Sequence, residues 1–169
     1  VLDNKVLIGS MNRSGLAGVD YEMDDRMTAM TAQDLLEMGC DGGKMLLRID
    51  PNVRSRYSIA TMDYCARAVA ECRRAGLPTF IEPLPVEQTE DGYQVVMDTD
   101  ALIRTIGVAT ALGGSSRDMW IKVPYVAEYH RVVKSTTLPI LMLGGASRGN
   151  PLHTIQAFAE GLGEGVNVR

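Results

Sequence analysis

The chain has 169 residues, 46% hydrophobic and 22% charged, with no long polar tract, which describes a single globular domain over residues 1–169. A net charge of −4, an aromatic content of 5% and arginines scattered rather than interleaved with stacking rings argue against a nucleic-acid partner. No apolar run approaches the roughly 20 residues of a membrane span, and no basic-then-apolar secretion signal is present, so no membrane association and a cytoplasmic location are expected.

The first apolar run of strand length is "KVLIG", Lys5 to Gly9. It leads into a long, polar, glycine-rich loop, Gly9 to Arg26. Long loops after strands are often functional, which makes Asn12, Arg13 and Asp20 candidates for contacts with substrate hydroxyl or phosphate groups. A short helix is expected over Thr31 to Met38, with Thr31 and Asp34 as its N-terminal cap pair. The strand "GKMLLRI", Gly43 to Ile49, follows. A long helix over Arg56 to Ala75 carries Ile59, Met62, Ala66 and Val69 at i, i+3, i+7 and i+10, and Gly76 and Pro78 end it. After the strand "PTFIE", Pro78 to Glu82, a helix begins near the capping candidates Asp98 and Thr99, runs through Leu102, Ile106 and Ala109, and stops at Gly113 and Gly114. The strand "DMWIKV", Asp118 to Val123, precedes a helix over Val126 to Ser135. Last come the strand "LPILMLG", Leu138 to Gly144, and a helix over Pro151 to Leu162 whose Leu152, Ile155, Ala159 and Leu162 share a face. The chain opens on Val1 rather than methionine and closes on "EGVNVR", an alternation that reads as a strand just starting, so both ends are expected to be cut.

Strands alternating with helices imply a parallel sheet with right-handed crossovers, an α/β class. Five strands and a nascent sixth suit either an open doubly wound sheet or part of a (β/α)8 barrel, which takes about 250 residues. Side-chain alternation decides. In "GKMLLRI" Lys44, Leu46 and Arg48 fall on one face and Met45, Leu47 and Ile49 on the other. A barrel interior accepts two inward cations, whereas burial under the helices of an open sheet costs several kcal/mol or so for each unpaired charge. An incomplete TIM barrel is expected.

Lys44, Glu82 and Lys122 each sit within a strand among apolar neighbours. Side chains from strands two apart share a barrel layer, which sets Lys44 and Lys122 near one another with Glu82 between them. A lysine desolvated beside a second cation has its pKa lowered toward neutrality, and the freed amine attacks carbonyls. The resulting imine draws electrons from the adjacent carbon–carbon bond, and a nearby carboxyl group moves the protons. That is the chemistry of a metal-independent aldolase. A structural ion pair inside a barrel is the other account of the same residues, and Arg48, near its strand end, suits a pair with Asp50 or another acid.

The ordered segments "GCDGGKMLLRIDP", "LPTFIEPLP", "MWIKVPY" and "LPILMLGG" resemble strands four to seven of the class I aldolases that include the deoxyribose-phosphate, tagatose-bisphosphate and archaeal-type fructose-bisphosphate enzymes. They resemble in particular a bacterial group of (β/α)8 proteins described as deoxyribose-phosphate aldolase-like. The resemblance covers nearly the whole chain. It implies an imine-forming Lys122, Glu82 as the proton-transfer acid and Lys44 as the cation that tunes them, in an aldehyde-lyase of carbohydrate metabolism with no cofactor. It also implies that the chain holds strands three to seven and the start of strand eight. Family members use the loops after strands seven and eight for the substrate phosphate. Here the turn "LMLGGASRGN" offers Gly144, Gly145 and Arg148, with Arg48 a further candidate; a plain tight turn is the alternative for the two glycines.

Other chemistries find little support. His130 and His153, the two histidines, fall on helices and cannot build a zinc cluster. The acidic pairs Asp24/Asp25 and Glu87/Glu90 read as solvated rather than as a magnesium site, so no metal is expected. Cys40, Cys65 and Cys72 form no C-x-x-C, and the last two stand about 10 Å apart by helical rise, so buried thiols are expected. Ser10 and Ser14 have no histidine in pattern, and no nucleotide-binding fingerprint occurs. The expected function is cleavage or formation of a carbon–carbon bond in a phosphorylated sugar through a Schiff base, in a chain that has the option of homo-oligomerisation. The alternatives are a sugar-phosphate isomerase or epimerase, with Glu82 moving a proton and Lys122 polarising the carbonyl, and a noncatalytic sugar-phosphate-binding subunit.

Overall fold

The structure is a computed structural model that describes residues 4–12, 25–51, 56–144 and 151–169. In chain order it contains β1 (Ile8–Ser10), α1 (Ala32–Glu37), β2 (Gly42–Ile49), α2 (Arg56–Arg74), β3 (Thr79–Thr89), β4 (Gly92–Val95), α3 (Thr99–Thr110), a 3-10 turn at Leu112–Gly114, β5 (Met119–Pro124), α4 (Tyr129–Lys134), β6 (Ile140–Leu143) and α5 (Pro151–Gly163). The sheet order is β1-β2-β3-β5-β6, every neighbouring pair on that path parallel, and the sheet curls as a half-barrel. The expected alternation and parallel class are therefore present. A full barrel is not. Val168 bridges Ile140 in parallel, supported by Ile140 N–H donating to the Asn167 carbonyl and Arg169 N–H to the Ile140 carbonyl, each at 2.7 Å. The closing alternation thus does begin a further strand contact.

The convex face of the sheet packs the core under the helices: Met45, Leu47, Ile81, Ile121 and Ile140 from the strands meet Leu35, Leu102, Ile106 and Val132. Helix starts follow their caps. Thr31 Oγ1 accepts from Asp34 N–H at 3.2 Å while the Asp34 carboxylate accepts from Thr31 N–H at 2.8 Å, a reciprocal capping box. Asp98 caps α3 by accepting from Ala101 N–H at 2.8 Å.

Four local expectations are corrected. The buried residues of α2 are Ser58, Thr61, Cys65, Ala68, Val69 and Cys72; of the apolar repeat Val69 lies in the core and Met62 packs against it, while Ile59 is 66% exposed. Val69 also meets Gly113, where φ is 71° and a Cβ would lie 2.5 Å from Val69 Cγ1, so only glycine fits. In α5, Leu152, Ile155 and Leu162 point outward and are uncovered by the described residues. Phe158 and Gly161 face inward, and a Cβ at Gly161 would lie 2.5 Å from Met142 Sδ. Helix α4 starts three residues later than its pattern, because Glu128 takes a left-handed conformation with φ of 50°. Finally, β3 runs seven residues past Glu82 and returns as β4, a hairpin with Glu90 and Asp91 at its tip. Asp91–Gly92 is a hairpin signal that Pro83 and Pro85 obscure in the sequence.

Candidate active site

The sheet register brings the inward polar residues together. Leu46 on β2 lies opposite Glu82 on β3, Lys44 lies opposite Phe80, and Phe80 lies opposite Trp120 on β5. Lys122 stands two residues beyond Trp120 and opposite Leu141 of β6. All these side chains belong to the concave, half-buried face, while their odd-even partners Met45, Ile81 and Ile121 are fully buried beneath the helices.

Three charges meet at a single atom on this face. Lys44 Nζ lies 2.9 Å and Lys122 Nζ 3.1 Å from the same Oε2 of Glu82. The Glu82 side chain is 12% exposed and the lysines 26% and 29%, so the carboxylate is covered while both ammonium groups keep access to the concavity. One carboxylate oxygen thus serves two cations. Below the cluster the Phe80 and Trp120 rings stack at 5.6 Å with 28° between planes, an apolar floor on the N-terminal side of the layer. Above it the pairing between β3 and β5 ends at Ile81. Thr79 donates its N–H across to Asp118 O at 3.0 Å, so alternation points the position of Pro83 the same way, and proline has no N–H to give.

A second ionic cluster lies one layer higher. The Arg48 guanidinium grips Asp25 through Nε, 3.1 and 3.0 Å from the two carboxylate oxygens, and through Nη2 at 2.8 Å. Asp25 also accepts from Arg48 N–H at 3.2 Å. Exposure is 0% for Asp25 and 4% for Arg48, so this pair is sealed. Asn12 completes the assembly. Its Oδ1 accepts from Leu46 N–H at 2.9 Å, and its Nδ2 donates to Leu46 O at 2.7 Å and to Asp25 O at 3.2 Å. Past Ser10 the main chain of β1 leaves the ladder after one last bond, Met11 N–H to Lys44 O at 2.9 Å. From there the side chains of Asn12 and Asp25 act as a surrogate strand for β2. Arg48 and Asn12, read from sequence as substrate contacts, are thus engaged within the protein. The signal for Asp25 was the inward Arg48 itself, which demands a buried acid.

Gly144 ends β6 on the surface, with Thr154 and Phe158 of α5 no closer than ordinary contact to the place a Cβ would take. Arg13, Gly145 and Arg148 lie outside the described residues, as do Asp20 and Asp24. Among the described residues no group of three or more histidine, cysteine or acidic side chains is arranged to hold a metal, and no helix is long and apolar enough to cross a membrane. His130 and His153 are exposed. Cys40, Cys65 and Cys72 are free and buried. Burial pushes the Cys65 thiol up to about 12 and the Cys72 thiol up to about 11, so neither supplies a thiolate.

The curled parallel half-barrel sheet is similar in architecture to the barrels of solved aldolases. The Schiff-base-forming fructose-1,6-bisphosphate aldolase matches with a TM-score of 0.73 and 20% identity over 98% of this chain and 63% of its own. An archaeal fructose-1,6-bisphosphate aldolase whose catalytic lysine carries the carbinolamine intermediate matches with a TM-score of 0.69 and 19% identity, over 97% of this chain and 63% of its own. These are likenesses of fold. The chain itself belongs to the Cgl0159-like family, which it matches over residues 1–168. The structure of Cgl0159 from Corynebacterium glutamicum has a TM-score of 0.89 and 37% identity, covering 99% of this chain and 55% of that one, so the present chain spans about half of that relative. No curated protein sequence matches significantly.

Proposed function

We propose that the protein is a class I aldolase-like lyase acting on a phosphorylated sugar, with Lys122 as the imine-forming amine. The observation that carries this is the single Glu82 oxygen held by two ammonium groups. Glu82 takes a proton from Lys122, and the neutral amine adds to the substrate carbonyl to give a carbinolamine. Return of a proton through Glu82 expels water and leaves the protonated imine. The iminium draws the electron pair of the neighbouring carbon–carbon bond onto itself as an enamine while a hydroxyl proton passes to a base and the aldehyde product departs. Reprotonation and hydrolysis then restore the amine. Lys44 stays as the fixed cation that holds Glu82 in place and balances its charge, and the Phe80–Trp120 floor limits water from below. Gly144, Gly145 and Arg148, which follow β6 in the sequence, are the residues proposed to bind the substrate phosphate. Likeness in fold to Schiff-base aldolases supports this reading.

The test is borohydride reduction in the presence of ketose and aldose phosphates, with peptide mapping by mass spectrometry. A reduced adduct on Lys122 is the expected result. Turnover of a sugar phosphate with no trappable adduct would favour an isomerase, in which the Lys122 ammonium stays charged and polarises the carbonyl while Glu82 moves the proton.

A further inference from the structure

The concave face carries Lys44 and Arg48 from β2 and Lys122 from β5, the two strands that flank β3, and Arg48 has a choice of carboxylates. Lys44, Leu46 and Arg48 alternate inward along β2, and Glu82 is register partner to Leu46, midway between the two cations. With strands about 4.8 Å apart and a rise of about 3.3 Å per residue, the Arg48 and Glu82 backbones lie roughly 8 Å apart, within the span of an arginine side chain. Arginine is also the better partner for a carboxylate, because its planar fork binds in a bidentate manner and sheds water more easily than an ammonium. Left to compete, Arg48 would take Glu82 from the lysines. It does not, because Asp25 engages its Nε and Nη2 and its main-chain N–H together.

We infer that Asp25 is a positioning residue: by holding Arg48 in a sealed pair, it reserves Glu82 for Lys44 and Lys122. Asn12 serves the same end by fixing Asp25's carbonyl and the Leu46 main chain in one contact set, so the clasp and the Glu82 layer share a rigid β2. The consequence for catalysis rests on the imine reading, whereas the competition for Glu82 does not.

The test is competitive acetylation of the full chain with trace acetic anhydride at fixed pH, quantified at Lys44 and Lys122 against the exposed Lys5. Asp25→Asn keeps the size and the acceptor for Arg48 N–H but removes the charge. Arg48 then turns to Glu82, and the unpaired lysines are acetylated about fivefold faster, the weight of one partly exposed ion pair. In Asp25→Asn/Arg48→Met the competitor is gone and both lysines return to the wild-type rate. A structural role for Asp25 alone would leave the double variant as altered as the single one, and that result overturns the inference, as does a single variant with wild-type rates. If Asp25→Asn fails to fold, Asp25→Ser, which keeps an acceptor for the Arg48 N–H and removes the charge, takes its place: raised rates at Lys44 and Lys122 uphold the inference and wild-type rates overturn it. Wild-type protein that traps no imine yet follows this pattern removes the aldolase and keeps the clasp.

Discussion

The two ionic clusters of the concave face are built from the same kinds of side chain and differ in accounting. Asp25 and Arg48 form a sealed pair in which a bidentate guanidinium meets both carboxylate oxygens. Glu82, one layer lower, offers one oxygen to two ammonium groups that remain a quarter or more exposed. A guanidinium–carboxylate pair sealed from water suits a structural role. A carboxylate between two lysines that keep access to an open concavity is the arrangement on which the proposed proton transfer rests. Exposure, rather than an inward charge alone, separates the two clusters.

The comparison breaks most visibly when one partner of the sealed pair is removed. Asp25→Ala leaves a buried guanidinium without its carboxylate and is expected to destabilise the fold by about 3–5 kcal/mol, read by urea denaturation. Glu82→Gln acts on groups that reach water and should cost only about 1 kcal/mol or less in the same experiment, while slowing turnover of the identified substrate by about 10²–10⁴-fold. Comparable losses of stability from both substitutions would erase the distinction. A smaller effect concerns Tyr129, whose hydroxyl is buried with no hydrogen-bond partner among the described residues and whose phenol is pushed up by that burial. Tyr129→Phe removes an unsatisfied polar atom and should be neutral or stabilising by up to about 1 kcal/mol. Smallest is the α1 cap. Donation from the Thr31 N–H and hydroxyl holds the Asp34 carboxyl below its usual 3.8. Because the folded value is depressed, the cap's contribution is complete above the unfolded value and fades as pH falls through the folded one. A carbon-13 titration of the Asp34 carboxyl should show a midpoint below the usual value in the wild type and a smaller depression in Thr31→Ala, which loses the hydroxyl donor and keeps the main-chain one.

Much of this was legible in the sequence because it follows from periodicity. The period-two alternation of "GKMLLRI" placed Lys44 and Arg48 on the concave face, and the Thr31–Asp34 and Asp98 caps announced two helix starts. The partner of Arg48 was not legible, since Asp25 reaches it across a loop of the chain and only the curl of β1 against β2 brings them together. Nor was the role of Asn12, because an amide standing in for a strand leaves no pattern of its own. The face of α2 was legible only in part: Val69 of the apolar repeat is in the core and Met62 packs against it, but small Ser58, Thr61, Cys65 and Ala68 fit close to the sheet, whereas the bulkier Ile59 is left outside. The β3–β4 hairpin was hidden by Pro83 and Pro85, which break the pairing to β5 yet leave β3 continuous.

Borohydride trapping is the most direct measurement of the central claim. Full-length protein incubated with sugar phosphates and reduced should gain one substrate-derived mass, mapped to the peptide containing Lys122, and Lys122→Arg should gain none. An adduct that persists in Lys122→Arg, or turnover of a sugar phosphate with no adduct in the wild type, would contradict the assignment of Lys122 as the imine-forming lysine.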